Sequence, residues 1–288
     1  MRVAGRLHGV ACFASLAFSG ETVLTSSQNK TQQAPLQLQM SNQPIPETLR
    51  QQLARLDQKR VTFAGLAAPV VESLYGSLRV ELTYASNAIE GNTLSLRETQ
   101  LVVEEGLAPG QNKTLREVYE ARNHFAAIKE VERWVTERRP LTARALVDLH
   151  QIVMRDIDPD WGGRLRNGPV FIKGSRHTPP NAAHVSDQLD DLIGWAGQCA
   201  LHPVLLAAET HFRFESLHPF FDGNGRTGRL LLNWQLLQRG FPITVIQVEE
   251  RAQYLGALDQ GHTGQLLELQ TLVAGAVERS LDLSAGGQ

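Results

Sequence analysis

From about residue 46 onward, apolar side chains recur every three or four positions, the period of an amphipathic helix. Val70, Leu74, Leu78, Leu82, Ala85 and Ile89 form one such stripe, which should end at Gly91, where a glycine can take the left-handed cap. The tetrads SLRE (Ser95–Glu98) and TLRE (Thr114–Glu117) are capping boxes. The first predicts a helix that stops at Gly106. The second predicts one whose Val118, Ala121, Phe125, Ile128 and Val131 or Trp134 face a core. Further helices fit residues 142–155, 184–198, 203–215, 224–239, 249–259 and 264–281. Neither an internal repeat nor a β–α–β alternation interrupts this pattern, so the expected fold class is an all-α helical bundle.

Residues 159–181 break the pattern. The run PDWGGRLRNGPVFIKGSRHTPPN is rich in glycine and proline, and PVFIK is its one β-like segment. Pro179 and Pro180 forbid a long helix there. A short β-hairpin projecting from the helical body is the simplest expectation.

Composition narrows the picture. The chain has 288 residues and a formal net charge of -2, so no strong basic field draws it to nucleic acid or anionic lipid. Cys12 and Cys199 are too few and too far apart for a disulfide framework or a zinc site. No apolar run reaches the roughly 20 residues of a membrane-crossing helix. The expected setting is therefore cytoplasmic. The first twenty residues carry a weak signal-like pattern without a clean cleavage site, which keeps secretion open. Residues 1–45 are expected to form a flexible extension, Gln/Ser/Thr-rich over 21–45, with Met40 as an alternative start. Residues 46–110 and 111–283 divide the remainder into N-terminal helices and a core.

The densest chemistry lies in LHPFFDGNGRTGRLLLN, Leu217 to Asn233. It contains no G-x-x-x-x-G-K-[ST] phosphate loop. Counted from Asp222 as a calcium loop, positions five, six and twelve hold Arg226, Thr227 and Asn233, which is the wrong set. What remains is a glycine-rich turn feeding a helix N-terminus. The backbone amides of Gly223, Asn224 and Gly225 make a nest for anionic oxygens. Arg226 and Arg229 lie on one face of the first turn, where cations oppose the helix dipole unless an anion binds. Asp222, at the edge of the nest, suits Mg2+ shared with phosphate oxygens. His218 is placed to take a proton from a hydroxyl. A base, a metal ligand, a phosphate nest and an arginine clamp describe phosphoryl or nucleotidyl transfer.

His218-Pro219-Phe220-Phe221-Asp222-Gly223-Asn224-Gly225-Arg226-Thr227-Gly228-Arg229 resembles the signature H-P-F-x-[DE]-G-N-[GK]-R-x-x-R of Fic proteins at every fixed position. The resemblance extends from about Leu74 to Leu269. It implies transfer of AMP from ATP to a Ser, Thr or Tyr hydroxyl of a protein target. In that scheme His218 is the base, Asp222 holds Mg2+, and Gly223, Asn224 and Gly225 hold phosphates. Arg226 and Arg229 take the β/γ end.

SNAIEGN, Ser86 to Asn92, resembles the inhibitory signature [ST]-x-x-x-E-[GN] of the same family. The resemblance implies that Glu90 pairs with Arg229 in place of the γ-phosphate, with Ser86 as the other marker residue. The segment around Val170, Phe171 and Ile172 matches the flap that holds a target chain by strand addition. Tyr254 stands where relatives place a tyrosine near the adenine, and a packing role is equally open. The following QGHTGQ lacks the acid common in relatives. Two other functions stay in view: AMP removal, with Glu90 activating water, and a nucleotide-binding regulator without chemistry. No winged-helix segment follows the core, so DNA is not an expected partner. Self-association into a homodimer is left open.

Overall fold

The computed structural model describes residues 44–107, 110 and 112–285. The Gln/Ser/Thr-rich extension up to residue 43, with its signal-like start, Cys12 and Met40, lies outside the described residues. These form ten α-helices: α1 (Glu47–Ala64), α2 (Ala68–Glu90), α3 (Leu96–Gln100), α4 (Leu115–Thr136), α5 (Ala143–Val153), α6 (Val185–Gln198), α7 (Pro203–Leu217), α8 (Asn224–Gln238), α9 (Arg251–Gly261) and α10 (Leu267–Ala285). None is long and apolar enough to cross a membrane.

Local chemistry sets the boundaries. Pro69 sits in the first turn of α2, and Gly91 ends it at φ 104°. Both predicted capping boxes are complete: Ser95 and Glu98 bond reciprocally before α3, and Thr114 and Glu117 before α4. Helix α3 runs on as a π-helical turn, Leu101–Glu105, closed by Gly106 at φ 67°.

Helices α7 and α8 form the central pair and are buried on nearly every side, polar residues such as His211, Arg226, Arg229 and Asn233 included. One apolar cluster joins them to α1, α9 and α10 through Leu56, Phe212, Leu232, Leu236, Tyr254 and Val273. A second joins them to α2, α4, α5 and α6 through Leu78, Ile128, Leu149, Leu189, Phe214 and Trp234. Each fully buried side chain of this size stabilises the fold by about 1.5–3 kcal/mol. The N-terminal helices thus pack within the same unit as the later ones.

Two sequence expectations change. Val70 is 39% exposed, and Val71 packs against the core instead, because the stripe of α2 is rotated by one position at its first turn. The expected hairpin is not a paired ribbon. Among the described residues there is no β-strand, and 168–181 is an irregular excursion with one turn, Ser175 N–H to Ile172 C=O at 3.2 Å. Pro169, Pro179 and Pro180 lack the N–H a ladder needs, and an isolated two-stranded ribbon is marginal in water. Phe171 at its tip is 89% exposed.

Candidate active site

Helix α7 ends in an unusual residue. His218 takes a left-handed conformation, φ 48° and ψ 62°, and its N–H returns to the Phe214 carbonyl at 2.9 Å. Its Nδ1 lies 3.3 Å from the Glu215 carbonyl, so Nδ1–H donates and Nε2 is left as an acceptor. Burial pushes the imidazole down to about 4, reinforced by Arg166 and opposed by Glu215 C=O and Glu90. His218 is therefore neutral at pH 7, the form a general base requires.

The loop from His218 into α8 is braced from behind. Asn224 Oδ1 accepts the Phe220 N–H and its Nδ2 donates to the Phe220 carbonyl, both at 2.9 Å. The Asn224 side chain is thus committed to the loop. His150 stacks on Phe220 at 3.6 Å. It donates Nε2–H to the Asp222 carbonyl at 2.9 Å and accepts the Gly163 N–H on Nδ1 at 3.0 Å. Gly223 has φ 77°, and a Cβ there would stand 2.8 Å from Met154 Sδ. The first N–H groups of α8 have no intrahelical partner and sit at the positive end of the helix.

The two arginines face different neighbours. Arg226 lies 3.3 Å from Glu120 and 3.4 Å from Asp222, with its side chain 3% exposed. Asp222 also meets Arg116 at 2.5 Å. Burial raises the Asp222 pKa, but Arg226, the Gly223 N–H and Arg116 together hold it below the ordinary value. Arg229 turns toward α2. It donates Nε–H to Ser86 Oγ and Nη2–H to the Ser86 carbonyl, both at 2.9 Å, and Nη2–H to Glu90 Oε1 at 2.7 Å. Tyr254 is fully buried and its hydroxyl bridges Arg229 Nη1 at 3.4 Å and His211 Nε2 at 2.8 Å. A Cβ on Gly225 would fall 2.1 Å from Glu90 Oε1, so the glycine makes room for the carboxylate.

A cleft of about 560 Å³, well within the range of small-ligand sites, opens over this arrangement. Glu90, Glu215, His218, Gly225, Arg229 and Tyr254 line it, with Phe171 and Ile172 of the flap on one wall. Gly223, Asn224, Asp222 and Arg226 adjoin it without lining it, Ser86 stands behind Arg229, and Val170 is outside the lining. Among the described residues no cluster of three or more His, Cys, Asp or Glu side chains could cage a metal. Asp222, a single half-exposed carboxylate beside the nest, fits Mg2+ only as a shared ion whose other ligands are phosphate oxygens and water.

The Fic/DOC family profile matches residues 140–236. A solved segment of Fic-1 from C. elegans shares 30% identity, covering 83% of this chain and 72% of that one, with a TM-score of 0.73. This chain belongs to the Fic/DOC family. The Fic domain containing signaling protein from Bacteroides thetaiotaomicron is 25% identical, with a TM-score of 0.74 over 82% of this chain and 97% of that one. "Protein adenylyltransferase Fic" of Drosophila willistoni is 30% identical over 245 residues, 83% of this chain and 49% of that protein. The chain therefore spans about half the length of that relative.

Several residues of this Fic site carry no local sequence signal. Arg166, His150, Glu120 and Glu215 reach it from the flap entry, α5, α4 and α7. Glu215 has one carboxyl oxygen sealed from water without a hydrogen-bond partner. Burial pushes its pKa up to about 8, against the pull of Arg229. Its nearest signal in the sequence is its place three residues before His218.

Proposed function

We propose that this Fic protein transfers AMP from ATP to a Ser, Thr or Tyr hydroxyl of a protein, and that Glu90 restrains it. The observation that carries the reading is His218: its Nδ1–H is held by the Glu215 carbonyl, so the free Nε2 lone pair is available to the cleft that Gly225 and Arg229 also line. The acceptor oxygen forms a bond to the α-phosphorus as the bond to the bridging oxygen breaks. Pyrophosphate leaves and the hydroxyl proton passes to His218 Nε2. The backbone amides of Gly223 to Gly225 bind phosphate oxygens, and Arg226 and Arg229 neutralise the β/γ end. Asp222 would hold Mg2+, which supplies charge neutralisation on the phosphates. The extended backbone at Val170 to Ile172 pairs with the target chain. Residues 46–110 supply the restraint and 111–283 the chemistry, while Tyr254 orients Arg229 from below.

Glu90 supports a second reading. Its side chain is 42% exposed at the same cleft and only Oε1 is committed to Arg229, so Oε2 is free to activate water against an AMP ester. One experiment addresses both readings. Glu90→Gly protein is incubated with labelled ATP and Mg2+, alone and with a lysate, and read by intact mass. Added AMP that disappears with His218→Ala supports transfer. No added AMP in any sample rejects it. Loss of AMP release from a modified protein in Glu90→Gly identifies the reverse reaction.

A further inference from the structure

Arg166 sits where the chain enters the flap, is 2% exposed, and has no carboxylate within ion-pair distance among the described residues. Burial lowers its pKa, the mark of a cation taken out of water. Backbone carbonyls replace the missing counter-ion. Nε–H donates to His218 C=O at 2.8 Å, Nη1–H to Gly168 C=O at 2.9 Å and Nη2–H to Pro180 C=O at 2.6 Å. A longer contact reaches Leu217 C=O at 3.4 Å, and the Arg166 N–H donates to Pro219 C=O at 2.9 Å.

These carbonyls fall into two groups. Leu217 and His218 close α7, where terminal carbonyls lack helical partners and the dipole is negative. Gly168 and Pro180 flank residues 169–179, the flap itself. A helix cap accounts for the first group only. One planar fork joins the backbone of the proposed base to both feet of the segment that would hold the target, and a lysine ammonium lacks that geometry.

We infer that Arg166 is a positioning residue that fixes the register between the flap and His218, and so the distance from the target hydroxyl to Nε2. The inference rests on the transfer reading above. It concerns acceptor geometry, not nucleotide binding, because Arg166 touches neither the nest nor Arg229.

Two readouts on Arg166→Lys test it, with Arg166→Gln as the second variant should the lysine protein not fold. In the otherwise unaltered chain, amide exchange between Val170 and Thr178 and at Leu217–His218 should quicken together, while α10 stays protected. Quickening at α7 alone would reduce Arg166 to a cap, and loosening throughout would make it a general core residue; either overturns the inference. In the Glu90→Gly background with ATP and Mg2+, the ratio of AMP attached to protein over AMP released to water should fall at least about 10-fold, the scale of a misplaced reacting group. ATP affinity by calorimetry should not change. Equal loss of both products overturns the inference. If the Glu90→Gly parent attaches no AMP, the transfer reading fails, and the exchange experiment still decides whether Arg166 couples flap and base.

Discussion

Glu90 and Arg229, 139 positions apart in the chain, meet at 2.7 Å where the last turn of α2 lies on the first turn of α8. Arg229 is 2% exposed and donates a second and a third bond to Oγ and the carbonyl of Ser86, one turn earlier on the same helix as Glu90. Its charged form is favoured by Glu90 despite the cost of burial. A triphosphate that needs this guanidinium competes with a carboxylate already in place.

Replacing Glu90 with glycine should therefore raise AMP attachment, on the order of 10-fold or more if the pair holds about 1.4 kcal/mol. Intact mass after timed incubation with Mg2+ and ATP measures this. Adding Arg229→Ala should cripple the enzyme, since the proposed phosphate clamp is then lost together with the proposed restraint. Attachment no faster than in the unaltered protein would remove Glu90 from its assigned role.

Arg226 makes a separate case. Its guanidinium is nearly inaccessible and lies between Glu120 and Asp222, so its orientation is fixed before any nucleotide arrives. Arg226→Ala should weaken Mg2+–ATP binding by about 1–3 kcal/mol, the range for charge-assisted hydrogen bonds. Calorimetry giving an unchanged affinity would reject the clamp.

Gly228 tests the packing beneath the nest. A Cβ there would lie 2.2 Å from Glu215 Oε1 and 3.0 Å from His211 Nδ1, two atoms with no hydrogen-bond partner. Gly228→Ala should cost about 1–3 kcal/mol as an overpacked core substitution. Combining it with Glu215→Ala should recover most of that loss, because the carboxyl is what the methyl strikes. Denaturant midpoints of the two single variants and the double variant check this. Additive losses would show that the two positions do not interact.

Much of this was legible in the sequence, for reasons that are themselves physical. Capping boxes at Ser95 and Thr114 are local devices, and each bonds as its four residues imply. The run from His218 to Arg229 is contiguous, so its match to the family signature needed no tertiary knowledge. Arg166 was not legible, because its acceptors at Leu217, His218 and Pro180 lie up to 52 positions away and its neighbour Arg164 looks the same on paper. His150 was hidden likewise, since its value depends on Phe220 and Asp222, up to 72 positions on. The expected hairpin failed for the opposite reason. PVFIK has the composition of a strand, but a strand exists only when something pairs with it, and proline-interrupted flanks leave this one unpaired.

Acid should destabilise the protein in a defined window. Burial is the first cause that pushes His150, His218 and His262 down to about 4 and His211 to about 3, below the ordinary 6.5. His124, also buried, moves in the same direction. In each case the unfolded chain takes up a proton near pH 6.5 that the folded chain refuses until much lower pH. Below pH 6.5 the unfolded state thus binds more protons, and stability falls as pH falls. The loss runs until the folded-state values near 4 are reached. Glu215 acts in the opposite sense: its pKa of about 8 favours the folded form at low pH and costs stability as pH rises from 4.5 toward 8. One carboxyl opposes several imidazoles, so between pH 6.5 and 4.5 the histidines prevail. His150 and His211 are 1% and 0% exposed, so solvent screening discounts them little. Each tenfold difference in proton affinity between the folded and unfolded chain is worth about 1.36 kcal/mol, so these two imidazoles alone make the change several kcal/mol. Thermal melts should show Tm dropping steadily from pH 6.5 to 4.5 and nearly level from 7 to 7.5. In Glu90→Gly protein, kcat/KM for ATP should stay flat from pH 6 to 7, because His218 is already neutral there and Glu215 stays protonated. A Tm that holds constant on acidification would contradict the buried, neutral histidines of the core, and an activity that halves near pH 6.5 would contradict the neutral imidazole on which the assignment of His218 as base depends.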